Sequence, residues 1–272
     1  MKVYVATDLE GATGVTGGWS EISPGCREHE FAKRMLTADI NACAEGAFDG
    51  GADEVVVWDG HGASLSVNVL DIDPRVRLIK GRAPTHLPLL DSSFDAMILL
   101  GLHAMDGAAD GLMNGTWAGQ RVWLNGTKIG EIGLWMAMAA QLGVPTVMCM
   151  GDEAAAKEAA ALVPEVEQVA SKKGISRFCC EVYPPSRVWP AIREATARSL
   201  GRVKGMPVYL PSLPVEMRVE YGNTQLVDWV GNRPGVERVD GYTLSYTSDS
   251  LLDAVGALFY IAWWNLGDKP AL

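Results

Sequence analysis

Short, wholly apolar runs alternate with longer stretches of mixed character along the first half of the chain. Lys2 to Thr7 (KVYVAT), Glu54 to Trp58 (EVVVW), Ala96 to Gly101 (AMILLG) and Val144 to Met150 (VPTVMCM) have strand length and little polar interruption. Each is expected as a strand buried on both faces. Glu28 to Asp49 has helical length and periodicity and ends at Gly50-Gly51, where a helix should stop. Arg121 to Leu124 and Lys128 to Ile129 flank Asn125-Gly126 and read as a hairpin. Helices are expected from Glu131 to Gln141 and from Ala154 to Leu162. Strand–helix alternation of this kind indicates an α/β fold, a mostly parallel sheet with helices on both faces. Ligands of such sheets bind beyond the carboxyl ends of the strands, where the strand order reverses.

The last third is punctuated by Pro184, Pro185, Pro190, Pro207, Pro211 and Pro214. A helix is expected over Val188 to Leu200, strands near Val215 to Glu220 and Val236 to Tyr246, and a closing helix from Ser250 to Leu266. This segment reads as a smaller α+β unit, so the expected domains are residues 1–182 and 183–272.

Composition adds exclusions rather than a function. With 272 residues, 48% of them hydrophobic and 21% charged, the chain is globular in character. Acidic residues outnumber basic ones 33 to 23, and no Lys/Arg run occurs, which argues against nucleic acid or an anionic membrane as the partner. Asp8 and Glu10 interrupt the amino-terminal segment before a signal-peptide core could form. Leu251 to Leu266 is the most apolar stretch, but it contains Asp253 and is too short to span a bilayer. A cytoplasmic protein is the expectation. The cysteines, Cys26, Cys43, Cys149, Cys179 and Cys180, are odd in number and lack a CxxC pair, so reduced structural thiols are expected.

The candidate chemistry lies just past the expected strands. Asp8 and Glu10 follow the first, Asp59 and His61 the second, His103 the third and Asp152 the fourth. Only four histidines occur, and two of them stand in these positions. Asp8 and Glu10, two apart in an extended stretch, can point the same way. Carboxylates so placed repel unless a cation neutralises them. Imidazole with carboxylate suits zinc and its neighbours, whereas oxygen alone favours magnesium or calcium. Any one of these residues is more often a hydrogen-bonded loop residue or a helix cap than a ligand. Spacing alone leaves both readings open. His29, in a charged helical stretch, reads as a solvated surface residue, and His86, near Pro84 and Pro88, as a loop residue. Trp117 follows the His103 loop closely enough to line a crevice. Neither a GxGxxG turn, a Walker loop nor a GxSxG elbow is present.

The segments TDLEGATGV (Thr7 to Val15), VVWDGHG (Val56 to Gly62), ILLGLHA (Ile98 to Ala104), GEIGLWMAMA (Gly130 to Ala139) and MGDEAAAKEA (Met150 to Ala159) are specific as a set. Through them nearly the whole chain resembles the D-aminopeptidase family of zinc peptidases typified by the bacterial dipeptide-operon enzyme. The resemblance implies a metal-dependent hydrolase of peptide or other amide bonds. It implies two divalent metal ions per subunit, expected as zinc, on Asp8, Glu10, His61, His103 and Glu131. Glu131 enters through the resemblance alone; by itself it reads as a first-turn acid favoured by the helix dipole. A small peptide or amide substrate, a two-domain subunit and a homodecamer are implied as well. One position departs: where the family has a catalytic histidine in a GVMSH-like segment, this chain reads GLMNG, with Asn114 in its place. Asparagine cannot take up a proton, though it can donate a hydrogen bond to a developing oxyanion. Asn114 is therefore the candidate catalytic position, and Asp152 the candidate partner of a substrate amino group. The alternative is a metal-binding homo-oligomer of the same scaffold whose activity was lost or changed with that histidine.

Overall fold

The computed structural model describes residues 1–16, 18–83, 85–117 and 120–259. In chain order the elements are β1 (Lys2–Thr7), α1 (Trp19–Ile22), α2 (Arg27–Asp49), β2 (Glu54–Asp59), β3 (Arg77–Ile79), β4 (Ala96–Leu102), β5 (Arg121–Leu124) and β6 (Thr127–Ile129). Then come α3 (Glu131–Gln141), β7 (Thr146–Asp152), α4 (Glu153–Leu162), β8 (Glu167–Ser176), β9 (Cys179–Val182) and α5 (Pro185–Leu200). The chain continues through β10 (Val215–Glu220), α6 (Thr224–Val230), β11 (Glu237–Arg238), β12 (Thr243–Ser248) and α7 (Leu251–Leu258). The expected closing helix is seen as α7; its expected continuation past residue 259 lies outside the described residues.

Seven strands form the main sheet in the order β3-β2-β1-β4-β7-β8-β9. All neighbours are parallel except β8 and β9. The expected parallel α/β sheet is thus present. Side chains alternate through β1: Val3 and Val5 pack with Leu36 and Ile40 of α2 and Ile192 of α5. Tyr4 and Ala6 pack on the other face with Leu134 and Trp135 of α3 and Ala155 of α4. Both faces are covered, which is why the strands read as unbroken apolar runs.

A second, antiparallel sheet has the order β11-β12-β10-β5-β6. The hairpin β5–β6, from the first half of the chain, pairs there with β10. Helix α5 packs instead on α2 against the main sheet. A single cut at residue 183 therefore does not separate the two sheets, because strand pairing rather than chain order assigns each element. The expected strand over Val236 to Tyr246 is two strands, β11 and β12, joined by a turn in which Asp240 accepts from Tyr242 N (2.7 Å) and Thr243 N (2.8 Å).

From β1 the chain steps to β2 and β3 on one side, while β4 and β7 lie on the other. The order reverses between β1 and β4, and their carboxyl ends approach backbone to backbone. Gly11 N donates to Gly101 O at 2.8 Å, and a Cβ at Gly101, whose φ is +79°, would lie 2.2 Å from Asp8 O. Only glycine fits there.

Candidate metal centre

Asp8 and Glu10 leave β1, His61 follows β2, His103 follows β4, and Glu131 opens α3. The fold brings all five to the reversal point. Single ligand atoms of Asp8, Glu10 and His103 lie within 4.8 Å of one another. His61 Nδ1 is 2.9 Å from Asp8 Oδ1 and 3.0 Å from Glu10 Oε2. His103 Nε2 is 3.2 Å from Asp8 Oδ2 and 3.8 Å from Glu131 Oε1. Asp8 thus turns one oxygen to each ring.

The far nitrogen of each ring is also held. His61 Nε2 donates to Ile22 O at 3.0 Å, and His103 Nδ1 to Ala104 O at 3.0 Å. A ring with acceptors on both sides donates from both nitrogens only as the imidazolium. Burial opposes that charge, but Glu10 and Asp8 beside His61, and Asp8 and Glu131 beside His103, hold both rings well above their ordinary pKa. Burial likewise opposes the Asp8 carboxylate, and the hydrogen bonds from His103 and His61 keep it far below the usual range. Burial pushes Glu131 up to about 7; its Oε1 accepts from Trp117 N at 2.7 Å. Glu10 Oε2 is buried without an aligned hydrogen bond.

These features fit a metal cation by their own chemistry. Three carboxylates draw positive charge into one buried place, and the proton on each carboxylate-facing nitrogen is what a cation would displace. Backbone carbonyls on the opposite nitrogens fix tautomer and orientation, as metal-bound histidines commonly require. Nitrogen and oxygen donors together suit zinc.

The cluster opens into a cleft of about 660 Å³. Trp58, His86, Trp117, Trp135 and Phe259 form an aromatic wall, and Arg82 and Arg177 also line it. His86 stacks on Trp117 with ring centroids 4.7 Å apart, and Trp58 lies 5.3 Å from Trp135. Trp117 sits at φ +37°, an uncommon conformation for a bulky residue, while its N–H reaches Glu131. Trp117 lines the crevice as expected. His86, expected as a plain loop residue, is part of the wall, and burial pulls its pKa down to about 4. The sequence carried a signal for two other wall residues: Trp58 immediately precedes the DGH motif, and Trp135 stands four positions after Glu131, on the same helix face.

Three expectations take a different form. Asn114 does not line the cleft. Its Nδ2 donates to Gly111 O (2.9 Å), its Oδ1 accepts from Gly107 N and Arg177 (3.1 Å each), and Arg177 also binds its carbonyl. Asp152 is likewise occupied, capping α4 at Ala155 N (2.7 Å) and holding Leu112 N (2.6 Å). His29 is buried rather than solvated, with Nδ1 bonded to Glu21 O at 2.9 Å, because α1 folds over the start of α2. Asp59, next to His61, is fully buried and braces the His61 loop through Ser66 N (2.8 Å), Val67 N (3.0 Å) and Lys80 Nζ (2.8 Å). All five cysteines are free thiols; Cys43 and Cys149 are buried, and Cys179 is exposed.

Residues 1–259 match a family described as D-aminopeptidase. A D-aminopeptidase of Bacillus subtilis (strain 168) is 30% identical over 263 residues, 95% of each chain. A solved structure of a Zn-dependent D-aminopeptidase from Bacillus subtilis, described as a self-compartmentalizing protease, superposes with a TM-score of 0.91. It is 28% identical, and all of both chains is covered.

Proposed function

Because the chain belongs to the D-aminopeptidase family and is a metal-dependent peptide hydrolase, we propose that Asp8, Glu10, His61, His103 and Glu131 hold two zinc ions that serve removal of an amino-terminal D-residue from short peptides or related amides. The observation that carries the pair of ions is Asp8: its two oxygens face two different histidines, so its carboxylate would help hold an ion on each side. Glu10 completes the His61 side, and Glu131 the His103 side.

Bound zinc supplies a Lewis acid for the scissile carbonyl and lowers the pKa of a nearby water toward about 7. The chain's own residues do the rest. Glu10 would hold the metal through the oxygen that faces His61, Oε2, and its other carboxylate oxygen, Oε1, would receive the proton released when water adds to the carbonyl. The aromatic wall excludes bulk water and packs the substrate side chain. Arg82 and Arg177 give the cleft a positive edge suited to the carboxylate of a short peptide. Asn114 and Asp152 hold the loop that carries this wall rather than meeting the substrate, since their polar atoms are already bonded within the fold.

The same proposal covers a homo-oligomer, decameric as the resemblance implies, in the cytoplasm; the relative described as self-compartmentalizing supports assembly. Among the described residues no helix is long and apolar enough to cross a membrane. A panel of D- and L-aminoacyl amides tests the function. Turnover of D-substrates, lost on chelation and restored by zinc, is expected; zinc-loaded protein that turns over only L-substrates, or none, would refute it. Light scattering reads the assembly, and a monomer would refute the decamer.

A further inference from the structure

Lys172 lies on β8, and no part of it is exposed. Its Nζ donates to Glu10 O at 2.8 Å, Ala12 O at 2.7 Å and Val15 O at 2.5 Å. Three donors are all that an ammonium has. All three acceptors belong to one loop, which leaves β1 at Asp8 and carries Glu10. The adjacent Ser171 Oγ lies 2.6 Å from Gly11 O and 2.9 Å from Gly151 O, so the same strand grips the loop at a fourth carbonyl. From the opposite side, Asp39 Oδ2 accepts from Thr13 N at 2.8 Å.

A buried ammonium costs desolvation that an apolar side chain of similar length would avoid. If Lys172 only filled space, methionine would serve as well. What methionine could not do is satisfy three buried carbonyls, each costly to leave unpaired. Those carbonyls fix where residues 10–15 run, and therefore where the Glu10 carboxylate stands relative to Asp8 and His61.

We propose that Lys172 is a positioning residue of the metal centre, its ammonium gathering the Glu10, Ala12 and Val15 carbonyls so that Glu10 and Asp8 are held in ligating geometry. This rests on the metal reading above and adds to it a residue in no contact with the ion.

Cobalt(II) titration of the full-length metal-free protein, followed by the visible spectrum of the bound ion, tests the proposal without recourse to activity. K172M is expected to bind cobalt roughly 10–100-fold more weakly and to show an altered spectrum, the scale at which outer-shell partners act. In K172A, propylammonium is expected to restore affinity, whereas propanol is not. Wild-type affinity and spectrum in folded K172M would overturn the proposal. Should K172M not fold, K172A decides: cobalt affinity that does not respond to propylammonium overturns it. Absence of cobalt binding by the wild-type protein would instead overturn the metal reading, and this proposal with it.

Discussion

Asp8 answers to two histidines at once, and Asp152 to two backbone amides; the difference in their partners sets what each is for. Asp8→Asn removes the negative charge both rings face. The protein is expected to retain fewer than two metal ions per chain and to lose D-aminoacyl amide turnover, as elemental analysis beside an activity assay would show. Asp152→Ala strips a helix cap and an amide partner, so it is expected to cost about 1–3 kcal/mol of stability in denaturant unfolding. If Asp152 braces and does not bind substrate, KM is expected to stay within a few-fold of the wild-type value. A large rise in KM with unchanged stability would contradict this. At this scale the sequence was informative where chemistry sits at strand ends. Asp8, Glu10, His61 and His103 each follow an apolar run, so their convergence was legible. Glu131 was not, because an acid in the first turn of a helix looks the same whether it binds a metal or a dipole. Lys172 was hidden for a different reason: nothing in Ser171-Lys172-Lys173-Gly174 shows that Lys172 is buried while Lys173 is exposed.

The strands buried on both faces were legible as elements because continuous apolar character is the signature of that environment. Strand β8 lies next to the sheet edge and its buried positions include Ser171 and Lys172, while β9 is short and antiparallel, so neither stood out. The turn at Asn125-Gly126 fixed the hairpin β5–β6 but could not say which sheet it joins, since its partner β10 lies about a third of the chain away. Where elements meet most closely, a single methyl group decides. Gly101→Ala places a Cβ against Asp8 O in a left-handed conformation. It is expected to disrupt the β1–β4 junction, destabilising the protein by more than about 2 kcal/mol. Metal affinity is expected to fall in whatever fraction folds. Calorimetry and metal titration check both, and an unaltered variant would show that the junction does not position the centre.

Over the whole molecule, charge buried near the site makes stability depend on pH. Burial pushes Glu158 up to about 7; its Oε2 accepts from Met105 N at 2.7 Å, and its Oε1 is buried without a partner. A carboxyl raised in the folded state contributes stability below its unfolded pKa, which is lost as pH rises through the folded one. The metal-free protein is therefore expected to lose stability from this group between about pH 4.5 and 7. Glu158→Gln keeps an acceptor and removes the titration, so the variant is expected to gain on the wild type by up to about 3 kcal/mol between pH 4.5 and 8. Thermal unfolding across that range checks the sign; parallel profiles would refute it. The same architecture that confines these charges gathers ligands from the ends of three parallel strands and one helix, so the metal pair is the point on which the functional account rests. An anomalous difference map collected at the zinc absorption edge from crystals of the zinc-loaded protein tests it most directly. Two peaks are expected, bridged by Asp8, one on the His61–Glu10 side and one on the His103–Glu131 side. A single peak, or peaks away from these five residues, would contradict it.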